Sequence, residues 1–197
     1  MSGGYFSQAF IFLITTVFDI YLLAVALRFL LQLFRADFYN PISQLLVKIT
    51  NPPLKYIRKF VPGFKGKDWS SVVLMLIIIS VKISLITLIS SGRVLALHSL
   101  FILSLAGILK LVINIFMISI FIQVILSWVS PGAYNPATVI LNRLTEPLLG
   151  PARKFIPPIG GLDLSPILVI IILQLSIILV ATPLEHFGIS LSFPARF

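Results

Sequence analysis

The sequence predicts an all-α membrane protein. Four transmembrane helices form two parallel two-helix repeats, each with amphipathic interfacial helices in its cytoplasmic loop. Three observations predict this. Hydrophobic residues make up 58% of the 197 residues and charged residues only 11%, against about 25% charged in a soluble domain; mean hydropathy is +1.09. Four apolar stretches, at about 7–34, 71–89, 100–129 and 165–181, approach or exceed the roughly 20 residues that a helix needs to cross a bilayer. Finally, segment 40–70 recurs at 135–165 without a gap.

The repeat sets the organisation, with a first unit at 1–95 and a second at 96–197. Such self-similarity is the primary architectural signal of a chain. Pairs identical at this offset include Asn40/Asn135, Pro41/Pro136, Leu46/Leu141, Thr50/Thr145, Pro52/Pro147, Arg58/Arg153, Lys59/Lys154, Phe60/Phe155, Pro62/Pro157, Gly66/Gly161, Asp68/Asp163 and Ser70/Ser165.

The first apolar stretch has no basic region before it, so it reads as a retained transmembrane helix and not a cleaved signal. The first and third stretches exceed the bilayer thickness and should tilt or protrude. The fourth is near the short limit. Lys and Arg are uneven between the loops. Arg35, Lys48, Lys55, Arg58, Lys59, Lys65 and Lys67 follow the first stretch, and Arg143, Arg153 and Lys154 follow the third. The other side has Arg93 and Arg196. The positive-inside rule places both repeat loops in the cytoplasm and both termini outside. This asymmetry reads the net charge of +9 as membrane topology and lipid contact, with no direct nucleic-acid partner. Two spans per unit give both copies one orientation, related by a pseudo-two-fold axis along the membrane normal.

Each loop carries an amphipathic segment, at 40–62 and 135–157. Asn40-Pro41 and Asn135-Pro136 are helix starts, Asn as cap and Pro in the first turn. Ile42, Leu45, Leu46 and Ile49 recur at helical spacing, as do Ala137, Ile140, Leu141 and Leu144. Thr50-Asn51-Pro52 and Thr145-Glu146-Pro147 are expected to end this helix and start a second. On that second helix Leu54, Ile57 and Val61 share a face, and Pro62 or Pro157 ends it. The apolar faces should lie in the membrane surface, with cations among the headgroups.

An apolar helix, Asn-Pro, Thr-x-Pro, a basic Arg-Lys-Phe-x-Pro, Gly, and Asp-x-Ser opening a second apolar helix resembles the YggT family. Two tandem copies resemble its proteobacterial form. The likeness covers nearly the whole chain, and Thr145-Glu146-Pro147 matches the family pattern more closely than Thr50-Asn51-Pro52. The resemblance implies an inner-membrane protein linked to osmotic or envelope stress and to cell division. Plastid relatives are linked to cytochrome b6 complex assembly and nucleoid distribution. It carries over no catalytic residue.

The absence of cysteine excludes disulfides, thiolate chemistry and iron–sulfur ligation. His98 and His186 stand alone, so neither a metal nor another cofactor is expected. Arg58, Lys59, Phe60, Arg153, Lys154 and Phe155 are candidates for binding anionic lipid or a membrane partner. Asp68 and Asp163 suit a helix start and the dipole there, or an ion pair with Arg58 and Arg153. Charges within spans are costly and point to function by default. Asp19 and Lys82 should meet at similar depth on antiparallel helices. Arg28 is expected to snorkel to the cytoplasmic surface, and Lys110 to lie at an interface. The copy-two equivalents of Asp19, Arg28 and Lys82 are Asn114, Gln123 and Ile177, so the first pair reads as a clamp particular to copy one. The expected function is non-enzymatic, an assembly or scaffold factor engaging anionic lipid, a membrane protein or further copies of itself. The alternative is an oligomeric channel or transporter component in the osmotic stress response.

Overall fold

Long uninterrupted apolar runs leave the backbone nothing but its own hydrogen bonds in a bilayer, and the chain answers with helices. The computed structural model describes residues 4–37, 39–63, 66–130, 132, 135–156 and 163–192. Pro157, Gly161, Lys65 and Arg196 lie outside the described residues. The fold is all-helical: α1 (Gly4–Leu33), α2 (Pro41–Ile57), α3 (Trp69–Ser91), α4 (Leu97–Val129), α5 (Pro136–Phe155), α6 (Ser165–Ser176) and α7 (Thr182–Ser192). Among the described residues four helical runs are long and apolar enough to cross a membrane: Gly4–Leu33, Trp69–Ser91, Leu97–Val129 and Ser165–Ser192.

The fourth run corrects the expected end at 181. A π-helical turn, Ile177–Ala181, joins α6 to α7. Pro183 accounts for it: its ring crowds the Leu179 carbonyl one turn earlier and offers that carbonyl no N–H, and one wider turn relieves the crowding. The chain takes one wider turn and continues to Ser192, where a break was expected.

The loop helices also differ from expectation. Both α2 and α5 run unbroken through their prolines, Pro52 and Pro53 in α2, Pro147 and Pro151 in α5. The carbonyls these prolines leave without an intrahelical donor belong to Lys48, Ile49, Arg143 and Pro147, all exposed residues. Solvent or headgroups can bond them there, so the helix need not end. The expected apolar stripe splits as well. Leu46 is buried, whereas Ile42, Leu45 and Ile49 face outward. The inward row is Ser43, Leu46, Thr50 and Leu54. In copy two it is Thr138, Ile140, Leu144, Thr145, Leu149 and Ala152, with Ala137 exposed and Leu141 half-buried. Leu54 and Leu149 are a further identical pair of the repeat, and both are almost fully buried.

The spans pack in series. α1 packs on α3, α3 on α4, and α4 on α7. A two-fold relation between the copies would match the α3–α4 contact with one between α1 and the fourth span. Among the described residues α1 has no close backbone approach to α6 or α7, so the α3–α4 contact has no counterpart between the copies. Ser80 and Ser104 join α3 to α4 at 2.8 Å. Asn40 joins the copies by donating from Nδ2 to the Pro136 carbonyl at 2.8 Å.

Gly188 is buried where α7 crosses α4. A Cβ there would sit 2.9 Å from Leu103 Cγ and 3.2 Å from Ile102 Cγ2. Gly188→Val should lower stability by about 2 kcal/mol through overpacking, read as a lower midpoint of thermal unfolding in detergent. An unchanged midpoint would refute that close approach.

Candidate functional site

The two loop segments form equivalent sites, built from the same positions on different contacts. Each starts at an asparagine cap. Asn40 Oδ1 accepts from the Ile42 amide at 2.9 Å. Asn135 Oδ1 accepts from Ala137 and Thr138, both at 2.9 Å, and the Thr138 hydroxyl accepts from the Asn135 amide at 3.0 Å. Pro41 and Pro136 each open the first turn.

In copy one the middle of the segment is pinned by Arg28. This arginine does not snorkel. Only 5% of it is exposed, and its Nη1 donates to Thr50 Oγ1 at 2.7 Å and, at 3.5 Å, to the Val47 carbonyl. Thr50 in turn donates to the Leu46 carbonyl at 2.6 Å. In copy two the equivalent positions are Gln123, Asn142 and Thr145. The Thr145 hydroxyl bonds Gln123 Oε1, and Gln123 Nε2 donates to Asn142 Oδ1 at 3.0 Å. One clasp uses a buried cation and a backbone carbonyl, the other two amides. Both tie a span to the threonine of the loop helix, a role that the Thr-x-Pro motif alone did not indicate.

The far end of each segment is held by an arginine–aspartate pair. Arg58 Nη2 lies 2.5 Å from Asp68 Oδ2, with the Asp68 side chain 3% exposed. Asp68 precedes α3 but makes no side-chain bond to the helix backbone; it accepts from the Ser71 hydroxyl at 3.0 Å. Burial pushes its carboxyl up. The Arg58 hydrogen bond and charge, the Ser71 bond and the Arg28 charge outweigh that and hold it below the ordinary aspartate value. Arg153 Nε lies 2.9 Å from Asp163 and Nη1 lies 3.0 Å from Glu146. Asp163 also caps, its Oδ1 accepting from the Ser165 amide at 2.9 Å. Its carboxyl, pushed up by burial, is brought below the ordinary value by Ser165 and Arg153. The Asp163 hydrogen bond leads the causes that raise the Arg153 guanidinium.

The two arginines are therefore committed inside the chain. Lys59 and Lys154 are exposed; Lys59 lies over the Tyr56 ring at 5.8 Å from its centroid. Phe60 and Phe155 stand out at 86% and 81% exposure.

A second cluster lies within the spans. Lys82 Nζ donates to Asp19 Oδ1 at 2.6 Å, so α1 and α3 bring these two charges together. Lys110 pairs with Glu185 of α7, a contact hidden from the sequence because it depends on the π turn before α7. His98 and His186 are exposed, and the described residues hold no group of three or more metal-ligating side chains.

The family model described as CCB3/YggT matches this chain twice, over residues 7–89 and 102–184. The chain belongs to the CCB3/YggT family. An uncharacterized protein of Pseudomonas aeruginosa is 44% identical over 170 residues, which cover 86% of each chain. The uncharacterized protein YggT of Escherichia coli K12 is 32% identical over 177 residues, 90% of this chain and 92% of its own. YlmG homolog protein 2, chloroplastic, of Arabidopsis thaliana is 40% identical over 65 residues, 32% of this chain and 24% of its own. No solved structure matches the chain. The CCB3/YggT matches take in both spans and the loop segment of each copy, so the two clasped sites belong to the family unit.

Proposed function

We propose that this CCB3/YggT protein is a non-enzymatic assembly or scaffold factor of the bacterial inner membrane. Its two repeat loops face the cytoplasm, both termini lie outside, and α2 and α5 lie in the membrane surface. The observation that carries the reading is the division of labour in Arg-Lys-Phe. In both copies the arginine is turned inward to an aspartate, while the lysine and phenylalanine stay exposed on a segment fixed at both ends. A cation beside a bare aromatic ring suits an anionic headgroup region and a membrane partner seated there. The outward Ile42, Leu45 and Ile49 give α2 an apolar side for the same surface. The links to osmotic or envelope stress and division that the resemblance implies belong to this proposal through the resemblance alone.

The chain lacks cysteine, so Phe60→Cys or Phe155→Cys gives a single attachment point. A photo-crosslinker there should yield one discrete adduct in native membranes, the same from either copy. Lys59→Ser with Lys154→Ser should abolish it while leaving the unfolding midpoint unchanged. A smear of random adducts, or an adduct indifferent to both lysines, would overturn the scaffold reading. An impermeant thiol reagent applied from outside should label Val94→Cys and spare Phe60→Cys; the reverse would invert the topology. The channel alternative draws on charges within the spans, of which Asp19, Lys82, Lys110 and Glu185 line one cavity. That cavity reaches no residue of α2 or α5, so it does not by itself cross the bundle.

A further inference from the structure

The missing α1–α7 contact leaves a cavity of about 520 Å³ between α1, α3, α4 and α7, within the range of ligand sites, roughly 300–1,000 Å³. It runs from the middle of the spans, at Asp19, to the end marked by Leu95 in the α3–α4 connection and Ser192 at the close of α7. Its charged lining is two carboxylates and two ammonium groups, the Asp19–Lys82 and Lys110–Glu185 pairs. In each pair the acid stands on an outer helix of the series, α1 or α7, and the lysine on an inner one, α3 or α4. The acids are also the more exposed partners, 50% against 20% and 41% against 32%.

These pairs are not a legacy of the repeat. At the 95-residue offset Asp19 and Lys82 correspond to Asn114 and Ile177, and Lys110 and Glu185 to Thr15 and Ser90. Each copy places its own pair at its own register, yet both converge on one cavity. Two independent clamps would have no need to meet. Charges at this depth are costly, and a π turn, a feature frequent at functional sites, re-aims Glu185 to complete the set.

We propose that this cavity binds the headgroup of a zwitterionic phospholipid bearing a primary ammonium, such as phosphatidylethanolamine. The phosphate lies against Lys82 and Lys110, and the ammonium points outward to Asp19 and Glu185. The lining is neutral overall, so a lone anion or cation would bring a net charge into the span interior, whereas a zwitterion adds none. The volume suits a headgroup and glycerol, and the acyl chains leave through the α1–α7 gap into the bilayer.

The test is reconstitution into vesicles of equal parts phosphatidylethanolamine and phosphatidylglycerol, with retained lipid counted by native mass spectrometry after extraction. Phosphatidylethanolamine should be retained about tenfold over phosphatidylglycerol, the ratio of one charge-assisted contact. Ile83→Trp fills the cavity without touching a charge and should abolish that preference. Asp19→Lys with Lys82→Asp keeps an ion pair but reverses it, and should also lose the preference. Equal retention of both lipids by the unaltered protein overturns the proposal. So does a preference that survives Ile83→Trp in a protein of unchanged unfolding midpoint. Saturable binding of soluble phosphoethanolamine to delipidated protein, without retained lipid, overturns the lipid as its source.

Discussion

Thr50→Val should lower stability by about 3 kcal/mol, whereas Thr145→Val should cost only about 1 kcal/mol, although the two threonines are equivalent and fully buried. Valine preserves the shape and removes the hydroxyl. In copy one that hydroxyl accepts from Arg28 at 2.7 Å. Without it the guanidinium keeps one contact, at 3.5 Å, to the Val47 carbonyl, and its Nε is already buried without a partner. A buried charge that loses its acceptor bears a large part of its desolvation cost. In copy two the lost bond joins neutral groups, and Gln123 keeps Asn142. Thermal unfolding of the purified protein in one detergent would compare the two. Arg28→Met supplies the control: in that background Thr50→Val should cost about 1 kcal/mol, since no charge remains to strand. Equal losses at 50 and 145, or no relief from Arg28→Met, would show that the clasp does not carry this energy.

What was legible in the sequence follows from which rules are local. The four spans depend on summed apolarity, which no tertiary detail overrides. The Asn40 and Asn135 helix starts need only the next three residues. The Asp19–Lys82 meeting follows from depth on antiparallel helices. Three features needed the fold. Pro52 and Pro147 do not break their helices, because the carbonyls they release face outward, and the period of the apolar residues does not say which face will be exposed. Arg28 is buried, because α2 folds back to place Thr50 over it; the signal available was that Arg28 and Thr50 align with Gln123 and Thr145, two positions polar in both copies at one offset. The Lys110–Glu185 contact depends on the turn at Ile177–Ala181, and Pro183 alone does not tell a stop from a bulge.

Arg58→Met should cost about 3 kcal/mol at neutral pH, and Arg153→Met about 1 kcal/mol. Asp68 is buried, so losing Arg58 leaves its carboxylate only the Ser71 hydroxyl. Asp163 has a third of its side chain in solvent and keeps the Ser165 amide. Both carboxyls are held below the ordinary aspartate value in the folded chain. A carboxyl depressed on folding contributes stability above its unfolded pKa, about 3.9. That contribution is lost as pH falls through the lower folded value. The unaltered protein should therefore keep its unfolding midpoint from pH 7 to about 5 and lose it progressively below about 4. Asp68→Asn should flatten part of that acid limb, and Asp68→Asn with Arg58→Met should be milder than Arg58→Met alone, because no buried charge is left unpaired. A double variant as unstable as the sum of the singles would place the energy in packing around α2 and α3, outside the ion pair. The contrast between copies bears on function too. The site in copy one is locked by buried charge at both Arg28 and Asp68, while copy two relies on amides and a pair about one-third exposed. In the proposed scaffold role, a partner that had to reshape one loop on docking would meet less resistance at Lys154 and Phe155 than at Lys59 and Phe60.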